Sequence, residues 1–306
     1  MANNMITLPP LREIPVAVFR STDNAAPVLK GEKGSFKTLL KAVLVTGYGE
    51  KPALGWTVVN EDANTAVFQS QDTTSNKHLL KIDHNQHNNY VVTTGGTGLN
   101  ADGSLQNEFG QNGMQKQTPV AYGSNITEWV VVGHSKAFIV LMKNSRNNDY
   151  GSVLYFGDVP SYIADDMNAT VLFSTRNADN GFVSTTSTNR VTMPNFPATA
   201  QGIMGDTVNT PTCAIGNAYS SSTFGNMGTY APNTTNQVIG FPIYFRENPV
   251  VRGLFSGIFC SSLLLPVEWN LQNCPLPNFE DYIVARFSEN GTQSSILVNS
   301  VAWLGV

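Results

Sequence analysis

Four apolar runs in the middle of the chain constrain its fold more than anything else: Trp129-Val-Val-Val132, Ala137-Phe-Ile-Val-Leu-Met142, Val153-Leu-Tyr-Phe156 and Thr170-Val-Leu-Phe173. Each is too short for a core helix, rich in β-branched and aromatic residues, and apolar at nearly every position instead of every second one. A strand with one wet face alternates, so runs of this kind predict strands buried on both faces, as in the centre of a sandwich.

Flanking runs are shorter and separated by Asn, Asp and Gly. Trp56–Val59, Thr65–Phe68, Leu79–Ile82 and Tyr90–Thr93 read as successive strands of an antiparallel meander. Ile14–Phe19 is a further short apolar run, and Val238–Phe245, Gly253–Leu265, Tyr282–Phe287 and Ser295–Leu304 supply strands toward the C-terminus. Ser35–Leu40 reads as a short helix or turn leading into a strand at Lys41–Thr46. No repeat of fixed period is visible, which argues against a solenoid or propeller. The expected class is all-β: one or more antiparallel sandwiches with long polar loops. Two modules are expected, 1–183 and 184–306, although the length also suits a single large domain.

Two stretches interrupt the pattern. Residues 95–123 are rich in Gly, Asn and Gln and too polar to be core, so they read as a mobile tip or a contact arm; residues 184–237 are dominated by Ser, Thr, Asn and Gly. Charged residues make up only 13% of the chain, about half the usual share. Asn and Thr fill the gap with roughly thirty each, and both prefer turns and strands to helix interiors. The net charge of −4 comes without a basic block, which argues against nucleic acid or an anionic membrane as partner. Met1–Pro10 lacks a basic segment followed by an apolar one, and no apolar run reaches the roughly 18 residues of a spanning helix. A soluble protein made in a reducing cytoplasm is expected. Cys213, Cys260 and Cys274 fit buried thiols better than a disulfide framework or a metal site. Four Asn-x-Thr sequons, at Asn125, Asn168, Asn233 and Asn290, are what an Asn- and Thr-rich chain yields by chance.

Candidate chemistry is sparse. His78, His84 and His87, with Asp83 beside them, match no established metal-ligand spacing and read as solvent-exposed histidines. His134 reads as a turn histidine without a nucleophile motif to serve. Asp165-Asp166 and Glu280-Asp281 read as solvated acidic pairs; only convergence of groups such as Asp158 and Asp165 in a deep cleft would make a glycosidase pair. Thr94-Gly-Gly-Thr-Gly98 lacks the Lys-Ser/Thr of a phosphate loop and reads as a turn. The expectation is no catalytic, cofactor or metal residue, and no enzyme.

Three stretches resemble signatures of an uncharacterised family of tailed-bacteriophage and prophage virion proteins. They are Gly47-Tyr-Gly-Glu-Lys-Pro-Ala-Leu-Gly-Trp56, with Thr46 where those proteins have Asp; Tyr155-Phe-Gly-Asp-Val-Pro-Ser161 with Asp165-Asp166 and Thr170 behind it; and Pro242-Ile243 leading to Val251-Arg-Gly253 and Gly257-Ile258. In the third, Phe255-Ser-Gly257 replaces a Leu-Pro-Gly. Glycines at 47, 49 and 55 suit turns with positive φ, Pro52 an extended approach, and Trp56 a core anchor, so these residues read as structural. The resemblance implies a virion protein that assembles with copies of itself or with other virion proteins, as a head decoration, a neck or collar component, or a tail-associated subunit. The alternative is a receptor- or carbohydrate-binding module at a fibre or tail tip, with a host surface glycan held by one of the polar stretches.

Overall fold

The structure is a computed structural model that describes residues 11–109, 117–121, 124–144, 150–174, 198–199, 212–215, 240–247, 250–261, 265–289 and 292–305. The four apolar runs form a continuous antiparallel meander of β11 (Ile126–His134), β12 (Ala137–Asn144), β13 (Tyr150–Asp158) and β14 (Thr170–Ser174). On one side β2 (Ala17–Arg20) and β3 (Leu29–Lys30) both pair with β11; on the other, β15 (Ala198–Thr199) pairs with β14. Because side chains alternate across a strand, the sheet feeds two separate cores. Val131, Phe138, Val140, Leu154, Phe156 and Leu172 enter one, the upper core, while Val132, Ile139, Leu141, Val153, Tyr155 and Phe173 enter the other, the lower core. Burial on both faces is therefore as the apolar runs predict.

One face is covered by a second sheet of order β10-β7-β6-β5-β4. Its strands are β4 (Trp56–Glu61), β5 (Thr65–Ser70), β6 (Leu79–Asp83), β7 (Tyr90–Gly96) and β10 (Gln117–Pro119), with every neighbouring pair antiparallel. The other face is covered by a third sheet of order β16-β17-β18-β20-β19. It comprises β16 (Thr212–Ile215), β17 (Gly240–Glu247), β18 (Val250–Ser261), β19 (Tyr282–Glu289) and β20 (Thr292–Asn299). The result is an all-β sandwich of three layers. Strands β1 (Arg12–Pro15) and β21 (Ala302–Gly305) pair with each other and bring Trp303 into the lower core. Residues from both halves of the chain share that core; the expected boundary at 183/184 itself lies outside the described residues. Among the described residues no helix is long and apolar enough to cross a membrane.

Three local expectations are corrected. The run Lys41–Thr46 is not a strand: helix α1 (Ser35–Lys41) continues into a wider π turn over Ala42–Thr46. Phe36, Leu39, Leu40, Val43 and Leu44 are spaced i, i+3, i+4, i+7, i+8, and all five are fully buried in the upper core. The helical period of the apolar positions overrides the β-branched local composition. The polar stretch 95–123 contributes to the core despite its composition. Leu99 and Leu105 lie in the short strands β8 (Gly98–Leu99) and β9 (Leu105–Gln106), which pair and pack on Val67 and Leu79, on the outer side of the upper sheet. Phe109, Val120 and Ala121 are buried too; residues 110–116 and 122–123 lie outside the described residues.

Phe109 also explains why Thr94-Gly-Gly-Thr-Gly98 is not a turn. Gly95 and Gly96 are the last residues of β7, Gly95 exchanges backbone hydrogen bonds with Phe109 (2.8 and 2.9 Å), and the Phe109 ring lies where a Cβ on Gly95 would stand. Gly95→Ala should overpack this contact and cost about 1–3 kcal/mol, read as a lower urea midpoint with an unchanged slope; an unaltered midpoint would show that the ring is free to move aside.

Candidate functional site

A group of buried polar and titratable side chains gathers at one end of the sandwich, around the loop 71–78 between β5 and β6. The loop is held to the central sheet at two points. Ser135 Oγ, in the β11–β12 turn, donates to Asp72 Oδ2 (2.6 Å). Asn76 N–H donates to Asp158 Oδ2 (2.9 Å) at the end of β13, and Asn76 Nδ2 donates to Thr170 Oγ1 (3.2 Å) at the start of β14. Thr170 Oγ1 in turn donates to Asp158 Oδ1 (2.6 Å). His78, the last residue before β6, is buried against Phe109 and feels the charges of Arg252 and Asp166. The loop thus fastens the upper sheet to the central one.

Arg252 is fully buried, and its Nε and one terminal nitrogen donate to the two oxygens of Asp166, each at 2.7 Å. Ser161 Oγ bridges the same carboxylate (2.8 Å) and the Arg252 carbonyl oxygen (2.9 Å). Backbone bonds from Tyr162 N–H to Arg252 O and from Leu254 N–H to Pro160 O extend this contact into a short two-strand join. Gly253 is needed there, because a Cβ would collide with the Pro160 carbonyl. Asp166 is therefore not the solvated partner of Asp165: its carboxylate is 2% exposed and locks the β13–β14 connection to β18. Asp165 is exposed in the turn, with φ of 55°, and Glu280 and Asp281 are exposed as expected. Asp158 and Asp165 do not share a cleft, since the Asp158 carboxylate is turned to Asn76 and Thr170.

The histidines also differ from expectation. His78 and His84 are buried, and only His87 is exposed, stacked on Tyr90 at 4.3 Å between centroids. His84 Nδ1 accepts from Gly34 N–H and its Nε2 meets the Asn88 carbonyl, so it fastens α1 to the β6–β7 turn. His134 ends β11 before the tight turn, as expected, but is buried edge-on to Trp303. Among the described residues no group of three His, Cys, Asp or Glu side chains has metal-binding geometry. Cys274 is a buried free thiol; the side chains of Cys213 and Cys260 lie outside the described residues, as do Asn233 and Asn290.

Electrostatics follow burial. Desolvation raises Asp158 to about 6 against the hydrogen bonds from Thr170 and Asn76. Desolvation lowers His78 and His134 to about 4 each, helped by Arg252 and by Lys136 respectively. Burial pushes Asp72 up, but the bonds from Ser135 and Thr74 outweigh it and bring the group down to about 2. Perturbed groups that converge are a usual mark of a working site, yet ion-pair networks built for structure perturb pKa values as well. Asp158 is bonded to Asn76 and Thr170, Asp72 to Ser135 and Thr74, and His134 Nδ1 to Lys136 N–H, so these groups are engaged in holding turns and layer contacts, whereas Nδ1 of His78 has no partner.

The first motif serves a second structural junction. Backbone groups that β2 turns away from β11 are unpaired by any strand, and side chains satisfy them. Lys51 Nζ donates to Val18 O (2.7 Å) and to Asp23 Oδ2 (2.6 Å), Tyr48 OH donates to Asp23 Oδ2 (2.8 Å), and Asp23 Oδ2 accepts from Arg20 N–H (2.6 Å). Tyr48 packs edge-on to Trp129, and the Lys51 ammonium sits 5.8 Å above the Phe19 ring. Gly47, Gly49 and Gly55 all take the positive φ expected of them, and Trp56 is buried edge-on to Phe138 and Phe156. A groove of about 440 Å³ opens beside this edge, lined by Arg20, Glu128 and Asn273 among others. Its guanidinium is engaged, donating to Leu271 O and Asn273 Oδ1.

The roles of Asn76, Thr170, Asp72 and Ser135 have no signature in sequence, being ordinary loop and strand-end residues. Arg252 carries one: a single cation inside the apolar Val250–Phe255 run has to find a buried anion. Comparison with known proteins returned no match, neither to a protein-family model nor to a curated protein.

Asp166→Asn leaves the Arg252 charge buried without its counter-ion and should cost about 3–5 kcal/mol in chemical denaturation. Replacing both partners together, Asp166→Leu with Arg252→Met, should cost much less than the single change, and equal losses would refute the pairing argument. Lys51→Met should uncover the outer edge of β2 and raise self-association above that of the parent chain at equal concentration in sedimentation velocity; identical sedimentation would mean that Tyr48 and Asp23 suffice.

Proposed function

We propose that this chain is a non-enzymatic structural protein of a tailed-bacteriophage particle, acting by assembly with copies of itself or with other virion proteins. The observation that carries the reading is the use made of the three stretches that resemble virion proteins. Gly47–Trp56 closes the edge of the central sheet, while Tyr155–Ser161 with Asp166 and Val251–Gly253 meet in one buried lock. Motif residues spent on edges and layer junctions serve a rigid scaffold whose outward surfaces are free to vary. Low charge and abundant Asn and Thr suit contact between many identical subunits, where a strong net charge would repel. Head decoration, neck or collar, and tail association are all compatible with such a scaffold.

The test is to locate the chain in purified virions by cryo-electron microscopy. The expected outcome is a symmetric ring or lattice in which residues 95–123 and 184–237 are covered by neighbouring subunits. Exposure of either segment at a distal tip, with binding on a glycan array, would replace assembly by host recognition, and absence of the chain from the particle would overturn both readings.

A further inference from the structure

We infer that the loop 71–78 is an acid-sensitive latch: protonation of His78 and His134 releases it from the central sheet, loosening one end of the upper layer while the central strands stay folded.

The geometry opposes a proton at each histidine: at His78 within the loop itself, and at His134 within the turn that presents Ser135 to Asp72, although the Asp72 carboxylate favours the imidazolium there. A protonated histidine donates from both ring nitrogens. His78 is 6% exposed, its ring lies against Phe109, and its Nδ1 has no hydrogen-bond partner. The charged groups facing it are Arg252 from β18 and Asp166 from the β13–β14 connection. Both Asp166 oxygens are already taken by Arg252, and they also accept from Ser161 Oγ and Asn168 N–H. A proton on His78 would therefore place a second cation beside a buried guanidinium and leave an N–H without an acceptor. At His134 the conflict is direct, because Nδ1 accepts from Lys136 N–H (3.2 Å) and becomes a donor on protonation. Lys136 and Asp72 are the charged groups facing it, and Trp303 closes the remaining side.

Asp158 acts in the opposite sense and has to be weighed. Desolvation raises it, with Thr170, Asn76 and Lys136 opposing and Asp72 adding to the rise. Folding increases its proton affinity, so this group alone makes the fold firmer as pH falls from about 6 toward its unfolded value near 3.8. Folding decreases the proton affinity of His78 and His134, whose stabilising share is complete above about 6.5 and is lost as pH falls toward about 4. Two histidines against one carboxylate set the net direction, toward opening in acid. Protonated Asp158 keeps Oδ2 as acceptor for Asn76 N–H and can donate from Oδ1 to Thr170 Oγ1, so its own bonds persist in acid and the opening has to come from the histidines.

His84 is buried and lowered too, but it lies at the α1 junction, so a measurement resolved along the chain separates it. Hydrogen exchange read by mass spectrometry, corrected for intrinsic rates, should show protection of residues 71–78 falling ~10-fold or more between about pH 7 and pH 4.5. Protection of β12 should not change, and His78→Phe should retain most of the loop's protection at the lower pH. An unchanged loop, an equal fall in β12, or an equal fall in the variant would overturn the latch. Should the variant fail to fold, nuclear magnetic resonance titration of the parent protein decides: a His78 imidazole titrating well below the ordinary value of about 6.5 is expected, and one titrating at or above it refutes the proposal.

Discussion

A sheet that is dry on both faces leaves no surface on which to put polar chemistry. Side chains of β11 to β14 enter the upper core and the lower core in alternation, so neither face can carry a charge or a site. Whatever polarity the central layer needs must sit at its edges, where backbone groups lack a neighbour, or at its ends, where strands turn. Both kinds of place are occupied in this chain by side chains from outside the strands they serve. The edge of β2 is satisfied by Asp23, Tyr48 and Lys51, and the turn end is satisfied by the 71–78 loop and by β18. The arrangement of the outer sheets follows from the burial of the inner one.

This dependence explains why the motif residues are turn glycines, a proline, a lysine and paired charges instead of a nucleophile or a ligand set. A buried ion pair such as Arg252–Asp166 adds little net stability over a well-packed apolar pair, since desolvating two charges offsets most of their attraction. What it supplies is a penalty on every arrangement in which the two charges do not meet. With long antiparallel strands that can slip in register, such a penalty selects one way of laying β18 against the β13–β14 connection. Gly253 reinforces the choice, because only a residue without a Cβ lets Pro160 O come within reach of the strand.

The layer pattern was legible in the sequence because burial on both faces leaves a direct trace: continuous apolar runs for the inner sheet, and shorter runs separated by Asn, Asp and Gly for the sheet above it. The helix at Ser35–Lys41 and its continuation were half legible. Their local composition favours a strand, and only the spacing of Phe36, Leu39, Leu40, Val43 and Leu44 records the helix. Phe109 was hidden for the opposite reason, as one aromatic residue within a polar stretch whose partner is the missing side chain of Gly95. The seam was the least legible part, because it joins residues far apart in the chain, and nothing local to Asp158 announces Asn76. The buried state of His78 and His84 was misjudged on the same ground: the turn residues around them are polar, but the layers they enter are not.

Charges placed inside a scaffold have a consequence that edges and glycines do not. Apolar packing responds weakly to pH, whereas a buried imidazole or carboxylate ties the fold to proton concentration through the difference between its folded and unfolded affinities. In this chain His78, His134 and Asp158 sit at the same end of the sandwich and around the same loop, while the strands between them are apolar throughout. Sensitivity to solution conditions is therefore concentrated where the layers are fastened and is absent where they are packed. A protein so built can change the hold of one layer on another without losing the sheet that both depend on.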